Sequence, residues 1–188
     1  GSRVVIEEFL SGTELSVFIL TDGKDYLMLP TAKDYKRIGE GDTGLNTGGM
    51  GALSPSPVAD EAFMDKVRTK IIDRTISGLQ KDGIEYQGFL FIGLMRVGGE
   101  PYVIEYNVRM GDPETEAVLP RIESDLLAHF KAVSDGSLGE EEMEISSTQS
   151  TTIMMVSGGY PEAYEKGKEI KGLENVDQRS IVFQAGTR

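Results

Sequence analysis

The segment 102–108 of this chain, YVIEYNV, alternates between apolar and polar side chains and is followed closely by a Gly-Asp-Pro turn. Successive side chains of a strand point to opposite faces of a sheet. Glu105, Asn107 and Arg109 should therefore share one face, and the apolar residues between them should face the core. A second strand-like run at 88–96 precedes a Gly-Gly turn, so the two segments predict a β-hairpin.

Further segments predict a fold with more strands than helices. Strand-like runs bounded by turn residues lie at 3–9, 13–21, 25–29, 151–156 and 180–186. Apolar side chains recur every three or four residues at 60–81 and 121–134, which is typical of amphipathic helices. Because strands outnumber helices and come in hairpins, the predicted fold class is α+β, an antiparallel sheet with flanking helices.

Two connecting segments are candidates for ligand binding. Residues 33–57 are rich in Gly, end near two Pro and lack an apolar period, which predicts a long loop that is either functional or flexible. Glycines let a backbone approach an anion closely, but neither a Walker loop nor a Rossmann fingerprint is present. The joint at 7–14 could hold the edge of a purine, with Glu14 on a ribose hydroxyl, or could be a β-turn with a charged rim.

An acidic stretch near 137–148 is the predicted boundary between two units. The first unit would cover residues 1–145 and the second residues 146–188. The chain opens in strand-like sequence, and the run at 181–183 needs strand partners. We therefore expect the sequence to continue at both ends in a longer protein.

Charge and residue usage exclude several classes of function. The formal net charge is −12, which disfavours nucleic acids and anionic membranes as partners but not phosphorylated small molecules. The chain has no Cys, and its single His, His129, is interpreted as a surface or half-buried structural residue. Thiolate zinc sites, Cys nucleophiles and two-His metal sites are thereby excluded. No apolar run is long enough to span a bilayer, and we expect a cytoplasmic protein.

The polar face of the strand at 102–108 has two explanations. Glu and Asn supply the oxygen ligands that Mg²⁺ takes, and Arg is a planar donor suited to phosphate. The same three residues could instead form a surface ion pair on an exposed hairpin, and the triplet alone favours this second explanation. The turn immediately after the strand gathers further polar groups at the same end, which favours a metal and anion site.

Five segments follow one another along the chain: VVIEEFLSGTELS, DYKRIGEGDTGLNTGGMGALSP, GFLFIGLM, VIEYNVRMGDPETEAVLPR and SGGYP. Together they resemble the phosphoribosylamine–glycine ligase family, ATP-grasp enzymes of purine biosynthesis, over nearly the whole chain. The resemblance implies the C-terminal part of the ATP-grasp fold, followed by the beginning of a small C-terminal β-rich domain. The missing N-terminal and ATP-lid domains would be partners from the same protein.

The resemblance also implies roles for individual residues. Glu105 and Asn107 would bind Mg²⁺ or Mn²⁺, and Arg109 and Lys36 would be catalytic. The residues that hold ATP would be Glu7, Glu8, Phe9 and Leu10 at the adenine and Glu14 at the ribose. The residues that line the substrate pocket would be Asp42, Asn46, Gly48, Gly49, Met50, Asp112, Pro113 and Glu114.

The implied reaction needs charge neutralisation rather than a protein nucleophile. ATP would phosphorylate the carboxylate of glycine, and the amine of 5-phosphoribosylamine would displace the phosphate. Because the lid would be missing, we expect little or no activity from this chain alone. The alternatives are another ATP-grasp carboxylate–amine ligase, a non-catalytic nucleotide-binding module, or an α+β domain with no ligand.

Overall fold

The computed structural model describes residues 3–188, and this part of the chain is built from short strands and helices. The strands are β1 (Thr13–Thr21), β2 (Tyr26–Met28), β3 (Lys33–Asp34), β4 (Arg37–Gly39), β5 (Thr43–Asn46), β6 (Gly51–Ser54), β7 (Gly88–Val97), β8 (Glu100–Asn107) and β9 (Ser150–Ile153). The α-helices are α1 (Glu61–Val67), α2 (Asp73–Lys81), α3 (Glu114–Val118) and α4 (Leu126–Asp135). Within residues 3–188, no helix has the length and apolar character needed to cross a membrane.

A four-stranded antiparallel sheet with the strand order β2-β1-β7-β8 forms the centre of the fold. Strand β1 is buried on both faces. One face packs on α1 and α2, through Leu15, Val17, Ile19, Phe63, Val67 and Ile72. The other packs on α3 and α4, through Phe18, Leu20, Val118 and Val133. Each large apolar side chain buried in this way contributes about 1.5–3 kcal/mol, so these layers hold β1 and β7 rigidly.

The predicted helix at 60–81 is confirmed. Asp60 caps α1 by accepting a hydrogen bond from the amide of Phe63 at 2.9 Å. A π-helical turn, Arg68–Ile72, joins α1 to α2 without ending the helix. The helix lies against the central sheet with Ile76 among its buried residues, as the apolar periodicity indicated.

A second sheet of three strands has the order β3-β6-β9, and β4 and β5 form a separate hairpin. The prediction that residues 33–57 form a structureless loop is therefore wrong, since this segment holds four short strands. Strand β9 pairs with β6 along its whole length. The paired strands belong to different predicted units, and the division at 145/146 stays a prediction.

Three other sequence-based predictions are wrong. The run at 3–9 is irregular and exposed, because no strand of the described residues pairs with it. The run at 180–186 is irregular and exposed for the same reason. The helix predicted at 121–134 begins only at Leu126, where Asp125 caps it, because residues 119–121 form a 3₁₀ turn that contains a proline.

Helix α4 also differs from its predicted orientation. Leu127 and Phe130 belong to the apolar recurrence at 121–134, which predicts that they face inward, but they are 74% and 40% exposed. His129 is instead buried, and its ring nitrogens lie 2.8 Å from Ser124 Oγ and 2.8 Å from Glu141 Oε2. The imidazole thus holds the start of the acidic stretch against α4. This is a structural role, as predicted, but the His129 side chain is more deeply buried than predicted.

Candidate functional site

A small cavity opens where β1, β3, β7 and β8 meet. Its lining combines charged side chains with apolar side chains of the central sheet. The lining residues are Glu14, Leu15, Ser16, Asp34, Lys36, Phe91, Gly93, Leu94, Ile104 and Glu105. Three residues with predicted roles are therefore brought together: Glu14 from β1, Glu105 from β8 and Lys36 from the link between β3 and β4.

A β-bulge in β8 turns Glu105 toward the cavity. Val103 pairs with Leu94 and Glu105 pairs with Gly93, so Ile104 is left outside the register. Ile104 and Glu105 consequently line the same cavity, although they are consecutive. Gly93 makes room for this arrangement, since a Cβ there would lie 3.2 Å from the Cγ of Glu105.

The prediction that the apolar residues of 104–108 face the core is wrong. Ile104, Tyr106 and Val108 are 39%, 47% and 72% exposed. Strand β8 is an edge strand, and the helix layer behind it covers only part of its length. Tyr106 reaches that layer through its hydroxyl, which lies 2.8 Å from Thr75 Oγ1.

The side chains of Glu105, Asn107 and Arg109 form one chain of hydrogen bonds, so their predicted position on a common face is confirmed. The Asn107 amide donates to Glu105 Oε1 at 3.0 Å, and Arg109 Nη2 donates to Asn107 Oδ1 at 3.3 Å. Arg109 also donates to the carbonyl of Met110 at 2.9 Å. The guanidinium is therefore held at the end of β8, next to two oxygen-bearing side chains.

The donor set of Glu105 and Asn107 fits a hard divalent cation. Mg²⁺ commonly takes one or two protein oxygens and completes its shell with phosphate and water. Residues 3–188 contain no cluster of three or more His, Asp or Glu side chains arranged for a metal ion. A cation at this strand end would have Glu105 and Asn107 as its protein ligands.

Lys36 forms an ion pair across the cavity. Its Nζ lies 2.9 Å from Glu14 Oε2. Burial alone would lower the pKa of Lys36, but the hydrogen bond to Glu14 and the charges of Glu14 and Asp34 outweigh it and raise that pKa. Lys36 therefore stays a full positive charge beside Glu105, where it can neutralise an anion.

Asp34 lies two residues before Lys36 on the same side of the chain. Burial raises the pKa of its carboxyl group to about 7, and the negative charge of Glu114 adds to the effect. Its Oδ1 is buried and has no hydrogen-bond partner among residues 3–188. Buried carboxylate oxygens almost always have a donor, so this atom marks a place for a ligand or for water.

The glycine-rich run meets the turn after β8 at one point. Gly49 has φ +138°, and a Cβ there would clash with the Cδ of Pro113 and lie 3.2 Å from the carbonyl oxygen of Asp112. The next residue of the turn, Glu114, is buried and accepts a hydrogen bond from Ser16 Oγ at 3.0 Å. The glycine-rich run and the turn after β8, both predicted to line the substrate pocket, are thus in contact.

The other residues with predicted roles lie outside the cavity lining. Residues 7–9 are exposed and irregular, Leu10 is partly buried, and no hydrogen bond joins any of them to the cavity in residues 3–188. Asp42 and Asn46 are exposed on the hairpin of β4 and β5. A Cβ at Gly48 would meet nothing within 4 Å. The backbone amide of Met50 donates a hydrogen bond to the carbonyl of Tyr35 at 2.7 Å.

Sequence analysis missed Ser16, Gly93 and the individual role of Asp34. The spacing of Asp34 and Lys36, two residues apart, would have placed them on one face if the segment had been recognised as a strand. Ser16 carried no comparable signal, because its partner Glu114 is 98 residues away.

Comparisons with known proteins identify the family of this chain. The family model described as phosphoribosylglycinamide synthetase, ATP-grasp (A) domain, matches residues 1–115. A phosphoribosylamine–glycine ligase of Chlorobaculum tepidum is 49% identical over 100% of this chain, which covers 45% of that protein. The bifunctional purine biosynthetic protein PUR2,5 of Pichia angusta is 48% identical over 100% of the chain, which covers 24% of its length.

The fold is shared with solved structures as well. The crystal structure of a phosphoribosylamine–glycine ligase from Thermotoga maritima has a TM-score of 0.75 and 40% identity, covering 87% of this chain and 41% of that one. The match confirms the predicted α+β class and the ATP-grasp resemblance. The chain spans less than half the length of each of these relatives. It belongs to the family of the phosphoribosylglycinamide synthetase ATP-grasp (A) domain.

Proposed function

We propose that this chain forms the C-terminal part of the ATP-grasp fold in an enzyme that joins glycine to 5-phosphoribosylamine at the expense of ATP. The observation that carries the proposal is the convergence of Lys36 and Glu105 on one cavity, with Asn107 and Arg109 hydrogen-bonded beside it. The relatives named phosphoribosylamine–glycine ligase, similar over the whole chain, support this choice of reaction.

The charges of the site suit the formation of an acyl phosphate. The carboxylate of glycine would attack the terminal phosphate of ATP, and negative charge would build up on the phosphoryl oxygens. Lys36 in the cavity and Arg109 beside it would neutralise that charge. Both cations are held in place before the substrates arrive, by Glu14 and by Asn107 with the Met110 carbonyl.

Glu105 and Asn107 would hold Mg²⁺ or Mn²⁺ at the end of β8. The bound cation would supply charge neutralisation and alignment of the ATP phosphates. Asn107 would present its Oδ1 to the metal, and Arg109 would then exchange its hydrogen bond with that oxygen for one with a phosphate. Because Arg109 is exposed and its second bond goes to a backbone carbonyl, this exchange needs no movement of β8.

The remaining assignments belong to the same proposal. Residues 7–10 would contact adenine, and Glu14 the ribose, once the preceding part of the protein and its ATP lid are in place. The residues that would form the substrate pocket are Asp42, Asn46, Gly48, Gly49, Met50, Asp112, Pro113 and Glu114. The contact between Gly49 and the Asp112–Pro113 turn supports this grouping. The enzyme would act on small molecules in the cytoplasm.

The test is ADP release with Mg-ATP, glycine and 5-phosphoribosylamine, measured for this chain and for the same chain extended to the length of its relatives. We expect turnover only from the extended protein and only with both substrates. Turnover with another carboxylate and amine would replace the proposed substrates. Binding of Mg-ATP by the extended protein without turnover on any substrate would support a non-catalytic nucleotide-binding module instead.

A further inference from the structure

We propose that Asp34 binds the attacking amine and accepts its proton when the amide bond forms. The inference rests on the proposed function and adds a residue to it. Asp34 lines the cavity together with Lys36 and Glu105, and its buried Oδ1 has no hydrogen-bond partner in the described part of the chain. A carboxylate oxygen left in this state is stabilised when an N–H or O–H donor occupies the space before it.

The charges around Asp34 select the kind of donor. Glu14 on β1 and Glu105 on β8 line the cavity, and the charge of Glu114 on α3 acts on Asp34. The nearby cation Lys36 already donates to Glu14. This negative environment disfavours a second anion and favours an amine or ammonium group. The phosphate groups of the substrates would therefore lie at Lys36 and Arg109, and an amine at Asp34.

The size of the space selects a small group. The cavity measures ≈ 30 Å³, which suits an amino group or one water molecule rather than a whole substrate. Gly49 lies close to this carboxylate, since a Cβ built on it would be 3.0 Å from Asp34 Oδ1. The terminal amine of 5-phosphoribosylamine could enter this space while the rest of the molecule stays outside it.

Asp34 would complete the second half of the reaction. The amine nitrogen attacks the carbonyl carbon of the acyl phosphate, the new C–N bond forms, and the C–O bond to phosphate breaks. The nitrogen must lose one proton to become a neutral amide, and Asp34 Oδ1 takes it. The pKa of about 7 that burial and Glu114 give this carboxyl suits a proton acceptor at neutral pH.

The test separates the two half-reactions in the extended protein. Positional isotope exchange in labelled ATP reports formation of the acyl phosphate with glycine alone, and ADP release with both substrates reports the whole reaction. The variants are Asp34→Asn, which keeps the shape of the side chain, and Asp34→Glu. Asp82→Asn, at an exposed residue after α2, is the matched control.

We expect Asp34→Asn to lower overall turnover by about 100-fold or more and to leave isotope exchange within about threefold of the unsubstituted protein. The remaining activity of Asp34→Asn should no longer increase as the pH rises through neutrality. Asp34→Glu should restore part of the rate. Equal loss of both reactions, or unchanged turnover, would overturn the role in amine attack. If the unsubstituted extended protein showed no glycine-dependent exchange, the proposed function would fail first and this inference with it.

Discussion

Ser16 Oγ donates a hydrogen bond to Glu114 Oε1 at 3.0 Å, although 98 residues separate the two. Both side chains are buried, at 5% and 3% exposure. The bond fastens the Asp112–Glu114 turn to β1 directly beneath the candidate site. Gly49 packs against this same turn. One hydrogen bond therefore supports the contact between the glycine-rich run and the Asp112–Glu114 turn, the two segments proposed to form the pocket.

Replacing Ser16 by Ala should destabilise the fold. The variant leaves a buried carboxylate oxygen without its donor, which costs about 1–3 kcal/mol. The free energy of unfolding from urea titration measures this loss, and Ser11→Ala, at an exposed serine before β1, is the control. Equal stability of the two variants would mean that Glu114 finds another donor when Ser16 is absent.

The stability of the protein should depend on pH through Asp34. Its pKa lies at about 7 in the folded protein against an ordinary value of 3.8, because of burial first and the charge of Glu114 second. The folded state thus binds the proton more tightly than the unfolded state. The contribution of Asp34 to stability is therefore greatest below about pH 4, falls as the pH rises toward 7, and is constant above that.

Asp34→Asn removes this titration and tests its size. The full shift corresponds to about 4 kcal/mol, which solvent screening of a partly exposed carboxyl reduces to about 1–2 kcal/mol. The variant should therefore gain that much stability relative to the unsubstituted chain between about pH 4 and pH 8. Glu114→Gln should lower the pKa of Asp34 and shrink the effect. A stability difference that stays the same at both pH values would contradict the assignment.

The central hairpin could be predicted from the sequence because its signals are local. Strands β1, β7 and β8 coincide with runs of alternating or β-branched residues. The turns that follow β1 and β7 carry Gly or Asp. The helix at 60–81 likewise follows from one apolar stripe. The shared face of Glu105, Asn107 and Arg109 followed from the two-residue period of a strand.

The remaining features depend on contacts between distant residues. Strands of two to four residues, such as β3 and β6, are too short to show a period. Strand β3 is held by pairing with β6, and β6 by pairing with β9, about a hundred residues later. The bulge at Ile104 cannot be recognised from the alternation of side-chain types, yet it changes which side chains line the cavity. The surroundings of Asp34 include the charge of Glu114 and the close approach of Gly49, which sequence spacing cannot place beside it.

Gly49→Ala should damage the fold where the glycine-rich run meets the turn. A Cβ at this position would clash with Pro113, and the φ of +138° is itself strained for any residue other than glycine. We expect a loss of about 2 kcal/mol or more in the free energy of unfolding. Gly48→Ala is a closely matched control, since a Cβ there meets nothing within 4 Å. Equal losses for the two variants would show that the contact is not tight.

Arg121 should be needed to hold the second sheet together. It is 7% exposed and donates to Ser54 Oγ at 3.0 Å, to the Ser146 carbonyl at 2.9 Å and to the Thr148 carbonyl at 2.8 Å. Arg121→Met keeps most of the side-chain length but leaves these acceptors unpaired, at a cost of about 3 kcal/mol. Arg74→Met, at an exposed position of α2, should change the free energy of unfolding by less than about 0.5 kcal/mol. Thermal or urea unfolding monitored by circular dichroism would show whether the losses differ.

The end of β8 should set the dependence of the extended protein on Mg²⁺. Glu105→Gln removes the charge of one proposed ligand and should raise the Mg²⁺ concentration for half-maximal ADP release by about tenfold or more. Glu100→Gln, at the other end of the same strand in an ion pair with Lys66, should leave that concentration unchanged. Titrations with Mg²⁺ at saturating ATP provide the measurement.

Arg109→Ala distinguishes the metal site from the anion site. Arg109 donates to Asn107 Oδ1, so its removal frees that oxygen for a cation and should not raise the Mg²⁺ requirement. Its loss should instead lower kcat, by about 100-fold, because the phosphoryl charge is no longer neutralised. A weakened response to Mg²⁺ with an unchanged maximal rate would instead assign Arg109 to holding Asn107 in place.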